Sequence, residues 1–90
     1  MNAGTPPPPG RAVALRYSGE GAPRVTARAE GALVEAMLAL AERHGVPRHR
    51  DPGLTALLAQ VELDREIPPA LYAAVAAVLA AIYAAAGEGR

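Results

Sequence analysis

The sequence contains no cysteine, lysine, phenylalanine or tryptophan. Without cysteine, the chain has neither a disulfide framework nor a thiolate site. Without phenylalanine and tryptophan, Ala, Leu and Val must fill the core, with Tyr17, Tyr72 and Tyr83 as its only aromatic rings. An excess charge of one sign is also lacking, because nine Arg balance nine Asp plus Glu. No strong field attracts nucleic acid or an anionic membrane, so neither partner is expected.

The length of 90 residues indicates one domain, and a content of 51% apolar residues suffices for a packed core. A domain of this size buries a smaller fraction of its surface than a larger one, so we expect a small free energy of unfolding. We expect three parts: a disordered Pro-rich leader at 1–10, a folded domain at 11–86 and a disordered tail at 87–90. The start of the chain has no basic residues followed by an apolar stretch, so no secretion signal is expected.

The stretch 68–87 carries no charge and is just long enough to span a bilayer. It is mostly alanine, which contributes little to membrane insertion. Its large apolar residues also follow one stripe, whereas a lipid-facing helix is apolar all round. We therefore expect a soluble helix, no stable membrane insertion and a cytoplasmic protein.

Four consecutive prolines, residues 6–9, precede the folded part. Proline cannot join a helix interior and donates no backbone hydrogen bond to a sheet. Such a run favours a short polyproline II stretch. We interpret it as a stiff, disordered leader, and the alternative is a PxxP ligand for an SH3-like partner.

Two strands are predicted at 12–17 and 23–28, and the intervening residues 18–22 contain two glycines. In the first strand, Val13, Leu15 and Tyr17 alternate onto one face. The short glycine-rich connection favours an antiparallel hairpin.

A first long helix is predicted at 30–44, and Gly45 ends it. Its apolar stripe at helical spacing is Leu33, Met37, Leu40 and Ala41, widened by Val34 and Leu38. A short strand at 46–50 follows and could lie parallel to the second strand. Asp51 is a predicted N-cap for a short helix through about residue 60. After a charged connection at 61–67, the last helix carries one apolar stripe: Leu71, Tyr72, Val75, Val78, Leu79, Ile82 and Tyr83. The predicted fold is α/β, a small mixed sheet of about three strands packed with three helices.

Residues suited to catalysis or metal binding are few and scattered. His44 and His49 lie five apart across a Gly-Val-Pro break, without a neighbouring carboxylate or cysteine at metal-ligand spacing. The triplet Arg48-His49-Arg50 could bind a phosphate, but we favour the simpler interpretation that it is the outer end of a short strand. We expect no cofactor, no metal and no enzyme activity. A small enzyme would require a pocket that gathers Arg48, His49 and an acid.

The order of segments nevertheless resembles a known family. AVALRY, APRVTAR, AERHGVP, DPGL and EIPPALYAAVAAVLAAIY follow one another over residues 12–83. Together they resemble the cytosolic C-terminal domain of the flagellar and type III secretion export-switch family, the FlhB/YscU-like proteins. The resemblance implies a domain that works below a membrane-embedded part, within an export gate.

The resemblance also implies a self-cleavage motif, Asn-Pro-Thr-His, directly before the first strand. The matching positions are Pro7, Pro8, Pro9 and Gly10, so only the proline of the motif is kept. The reaction needs the Asn amide as nucleophile, and self-cleavage is therefore not expected here. No transmembrane helices and no additional strand precede these positions, which favours a stand-alone paralogue of the family.

The family's domain is thought to receive export substrates in a small apolar dimple. The matching residues are Ala22 and Pro23 before the second strand, with Ala76 and Leu79 on the last helix. The resemblance implies that these four bind a partner, and core packing alone is the alternative explanation for Ala76 and Leu79.

The function that we expect is a non-catalytic accessory module of the export apparatus, which binds export substrates or export-gate proteins. Its expected location is the cytoplasm, peripheral at that apparatus. The alternative is a structural piece that completes the sheet of a truncated export-switch protein, or that self-associates by its strand edge.

Overall fold

A computed structural model describes residues 10–88 of the chain. Two strands, β1 (Arg11–Arg16) and β2 (Arg24–Glu30), form an antiparallel hairpin. Three helices follow: α1 (Leu33–Arg43), α2 (Pro52–Leu58) and α3 (Tyr72–Glu88), the last preceded by a 3-10 turn, Pro69–Leu71. The predicted α/β fold class is confirmed.

The predicted third strand at 46–50 is not formed, so the sheet within residues 10–88 has two strands. All five residues of this segment are exposed. Pro47 has no N–H to give to a ladder, and Arg48, His49 and Arg50 offer no apolar side chain to a core. The segment therefore gains nothing from pairing with β2.

The hairpin contains a β-bulge that the alternation of apolar residues does not reveal. Ala14 lies opposite Ala27, and Leu15 lies opposite Val25, so no residue of β1 lies directly opposite Thr26 in the register. Because one extra residue reverses the inward and outward positions, Ala12 becomes buried beside Ala29. Tyr17, predicted to face inward with Leu15, is 44% exposed.

The ends of α1 and α2 follow local signals in the sequence. At the end of α1, the Val46 amide donates to the Ala41 carbonyl (2.8 Å) and the Gly45 amide donates to Glu42 (3.2 Å). Gly45 has a φ of +67°, and this pattern is the Schellman motif. Asp51 accepts a hydrogen bond from the Leu54 amide at 3.0 Å, which confirms it as the N-cap of α2.

The inward face of α1 differs from the predicted stripe. Val34 is almost fully buried against Ala12 and Ala29, and Met37 and Leu38 pack beside it. Leu33 and Leu40, which the stripe included, are 67% and 51% exposed. The helix begins three residues later than predicted, because β2 continues to Glu30. This later start leaves α1 only three turns with which to cover the hairpin.

The main core joins β2, α2 and the start of α3. Its buried members are Val25, Leu54, Leu58, Ile67 and Val75. Val75 anchors α3, and Leu71, Val78 and Leu79 pack around it. Beyond this anchor the helix is largely exposed and continues through Gly87 and Glu88, past the expected boundary at 86.

The segment Pro69–Gly87 is long and apolar enough to cross a membrane by length and composition, and 6% of its most apolar window is buried in the structure. Core helices of soluble proteins pass the same test of length and composition, although such helices are mostly buried. The segment has no positively charged residue with which to hold anionic headgroups. Its predicted solubility stays a prediction.

Candidate ligand-binding groove

An apolar groove of about 560 Å³ opens between the hairpin end and α3. We call it the tyrosine groove, because all three tyrosines of the chain line it. The lining residues are Tyr17, Gly21, Ala22, Pro23, Glu66, Ile67, Tyr72, Val75, Ala76, Leu79, Ala80 and Tyr83.

The floor of the groove is built where a distant segment, residues 64–67, adds to the outer edge of β2. The Ile67 amide donates to the Pro23 carbonyl (2.9 Å), and the Val25 amide donates to the Arg65 carbonyl (3.1 Å). The Asp64 amide returns a bond to the Val25 carbonyl at 2.7 Å. These bonds hold Pro23 and Ile67 buried side by side.

Arg24 also holds the segment 64–67 in place. Arg24 donates from Nη1 to the Asp64 carbonyl at 2.8 Å and lies 3.7 Å from the Glu66 carboxylate. Asp64 has a φ of +65°, a strained value for a residue with a side chain. Because both charged partners are about half exposed, the ion pair contributes little, and the hydrogen bonds fix the geometry.

The wall of the groove is one face of α3. Tyr72, Ala76, Leu79 and Tyr83 recur at i, i+4, i+7 and i+11, which places them along one side of a helix. Val75 and Val78, on the neighbouring side, pack into the core. Val75 and Leu79 lie where the two sides meet, because both pack in the core and also line the groove. The single stripe predicted from the sequence therefore has one side toward the core and one open to the groove.

The rim at the hairpin turn requires a glycine. Gly21 has a φ of +67°, and a Cβ built on it would lie 3.1 Å from Glu66 Oε2. Left-handed backbone is costly for other residues. The Glu66 oxygen is the end of a flexible side chain that is about half exposed and can move, so the backbone conformation is the reason for the glycine.

The four residues predicted to bind a partner come together in this groove. Ala22 and Leu79 are half-buried, Pro23 is buried and Ala76 is exposed. Of the degenerate cleavage-motif positions, Pro7, Pro8 and Pro9 lie outside the described residues. Gly10 is exposed, and its carbonyl accepts a hydrogen bond from the Gly31 amide (3.1 Å).

The other candidate residues are placed elsewhere. Arg48, His49 and Arg50 are exposed, do not line the groove and form no salt bridge with any residue in the described range. Within residues 10–88, no three His, Asp or Glu side chains gather in a way that could hold a metal ion. The groove is the only one of these places where the predicted residues converge.

Sequence reasoning missed the aromatic character of the groove. The sequence predicts Tyr17, Tyr72 and Tyr83 as core rings, yet they are 44%, 47% and 63% exposed. The spacing of Tyr72, Ala76 and Tyr83 along one helix face was a usable signal. No such signal exists for Ile67, because its position in the groove depends on pairing with β2.

The FlhB HrpN YscU SpaS family model matches residues 7–82. The Bacillus subtilis (strain 168) protein YlqH is 37% identical over 75 residues, which cover 81% of each chain. The flagellar biosynthetic protein FlhB of Aquifex aeolicus (strain VF5) is 39% identical over 72 residues, and that of Yersinia enterocolitica 41% over 75. These two matches cover 77% and 80% of this chain but only 21% and 20% of the FlhB proteins.

Two solved structures are similar to this one. The PscU C-terminal domain superposes with a TM-score of 0.70 at 33% identity, covering 77% of this chain and 91% of that domain. A mutated EscU/SpaS C-terminal domain superposes with a TM-score of 0.73, covering 81% and 94%, and its 21% identity supports the fold alone.

Proposed function

The chain belongs to the FlhB HrpN YscU SpaS family, and from this membership we propose that it is a non-catalytic accessory module of the flagellar or type III protein export apparatus. Its location is the cytoplasm, peripheral at that apparatus. The chain spans about a fifth of the length of each FlhB relative.

The module binds export substrates or export-gate proteins through the tyrosine groove. The observation that supports this is the convergence of Ala22, Pro23, Ala76 and Leu79 on one open apolar surface. Ala76 is exposed although it lines the groove, so core packing does not account for its place there. An apolar groove with a few polar groups suits an extended segment with apolar side chains.

Capture from the native cell tests the proposal. Tagged chain should retain flagellar or type III export proteins, identified by mass spectrometry. Ala76→Arg fills the groove with a long cation and should abolish that retention. Ala77→Arg is the matched control, because Ala77 is the next exposed alanine of the same helix and does not line the groove. Equal retention by both variants would contradict the assignment to the groove.

A second candidate function, completion of a partner's sheet, is favoured by the asymmetry of the hairpin. Residues 64–67 close part of the outer edge of β2. Among residues 10–88, no other segment pairs with the outer edge of β1. Such an edge is a template for a strand of another chain.

A further inference from the structure

The chain gathers all its aromatic rings on one accessible surface. Tyr17, Tyr72 and Tyr83 each remain about half exposed or more, although the sequence has no other ring with which to fill its core. The rest of the groove is small and apolar, with Ala76 and Ala80 leaving room between the rings. The result is an open apolar groove lined by three partly exposed tyrosine rings.

A proline-rich segment fits this chemistry. A polyproline II helix has no internal hydrogen bonds, so its carbonyl oxygens remain free as acceptors. Tyrosine hydroxyls can donate to those carbonyls while the rings pack against the pyrrolidine faces. Aromatic-lined grooves recognise proline-rich segments in this way, and the stiff ligand loses little entropy on binding.

The chain carries such a segment itself, the four prolines of residues 6–9. We propose that the tyrosine groove takes this proline run from a second copy of the chain. The inference uses the groove of the proposed function and names a ligand class for it.

The reach of the segment excludes its own Tyr17 as a partner. Gly10 and Tyr17 flank β1, and an extended strand of about 3.3 Å per residue separates them by roughly 23 Å. Pro6 lies four residues before Gly10 and can extend at most about 14 Å from it. The run therefore cannot fold back along its own strand to the ring, whereas that of a second copy has no such limit.

A peptide titration tests the ligand class. The peptide of residues 2–10, NAGTPPPPG, is added to the full chain while intrinsic tyrosine fluorescence is followed. The chain has no tryptophan and the peptide has no tyrosine, so the signal reports the groove directly. We expect a saturable change, and at least about tenfold weaker binding when alanine replaces all four prolines. Equal binding of both peptides, or no response to either, would overturn the inference.

Two variants locate the binding. Ala76→Arg should remove the response to the peptide, and Ala77→Arg should keep it. Circular dichroism of both variants shows that each is folded. Loss of the response in both folded variants, or in neither, contradicts binding at the groove.

Sedimentation over a range of concentrations tests the second copy. The unchanged chain should associate as concentration rises, whereas a variant with Pro7→Ala and Pro8→Ala should remain monomeric. A monomer at every concentration would overturn the assignment to a second copy.

If Ala76-dependent capture of export proteins persists while the peptide gives no response, this inference fails and the proposed function stands. If the peptide binds and no export protein is captured, the proposed function fails alone.

Discussion

The backbone amide of Ile67 donates a 2.9 Å hydrogen bond to the carbonyl oxygen of Pro23. This bond joins a residue that is 2% exposed to the buried proline of the hairpin end. The bond sets the distance between the two sides of the groove floor. Substitutions that disturb it should therefore lower both the free energy of unfolding and the affinity of the groove for a ligand.

Gly21→Ala should destabilise the chain by about 1–2 kcal/mol, because it places a Cβ at a φ of +67°. The measurement is urea unfolding followed by circular dichroism. Gly10→Ala is the control, because Gly10 has open space around it and no positive φ. If the two variants unfold at the same urea concentration, the left-handed conformation of residue 21 does not require a glycine.

Val75→Asp should prevent folding, since Val75 is 1% exposed and no described cation lies in its core cluster. An unpaired charge buried there costs more than a small domain can supply. The milder Val75→Ala should cost roughly 1–3 kcal/mol. Both are read by thermal unfolding in detergent-free buffer, where the unchanged chain should be soluble.

The control for that prediction is Ala77→Asp, an exposed position two residues further along the same helix. It should melt close to the unchanged chain. A normal melting curve for Val75→Asp would mean that α3 does not dock through this residue.

Incubation of the purified chain should produce no self-cleavage. The family's reactive Asn is matched by Pro7, which has no side-chain amide to act as nucleophile. Intact mass spectrometry after several days should show one full-length species. Fragments that arise from a break between residues 7 and 10 would contradict the prediction.

Hydrogen exchange should distinguish the two edges of the hairpin. Alternate amides of residues 13–17 that face away from β2 should exchange fast in a verified monomer, because no segment within residues 10–88 covers them. The Val25 amide, bonded to Arg65, should be protected. Full protection of every amide from 13 to 17 would exclude an open docking edge.

Local signals in the sequence predicted local structure well. Gly45 and Asp51 end and begin helices through bonds to residues within five positions, so their neighbours in the chain suffice to place them. The hairpin likewise follows from two short segments and a glycine-rich turn. The predicted strand at 46–50 was wrong because apolar support, which its neighbours do not supply, decides whether a strand forms.

The composition of the groove could not be predicted from such signals. Ala22, Pro23, Ala76 and Leu79 were proposed through a family resemblance, and the structure places them together. Ile67 and Glu66 reach the groove because their segment pairs with β2, which is distant in the sequence. The hydrogen bond between Arg24 and Asp64, for example, joins residues 40 positions apart. Periodicity also cannot separate two adjacent helix faces, so Tyr72 and Tyr83 were assigned to the core.

The joining of residues 64–67 to the hairpin also bears on the order of folding. Closing the loop of 40 residues between Arg24 and Asp64 costs more loop-closure entropy than closing the short turn of the hairpin. We therefore expect the floor of the groove to close after the hairpin turn has formed. Until residues 64–83 have left the ribosome, a nascent chain lacks both the floor and the wall of the groove, so it cannot engage a ligand there. Binding competence therefore requires synthesis into α3.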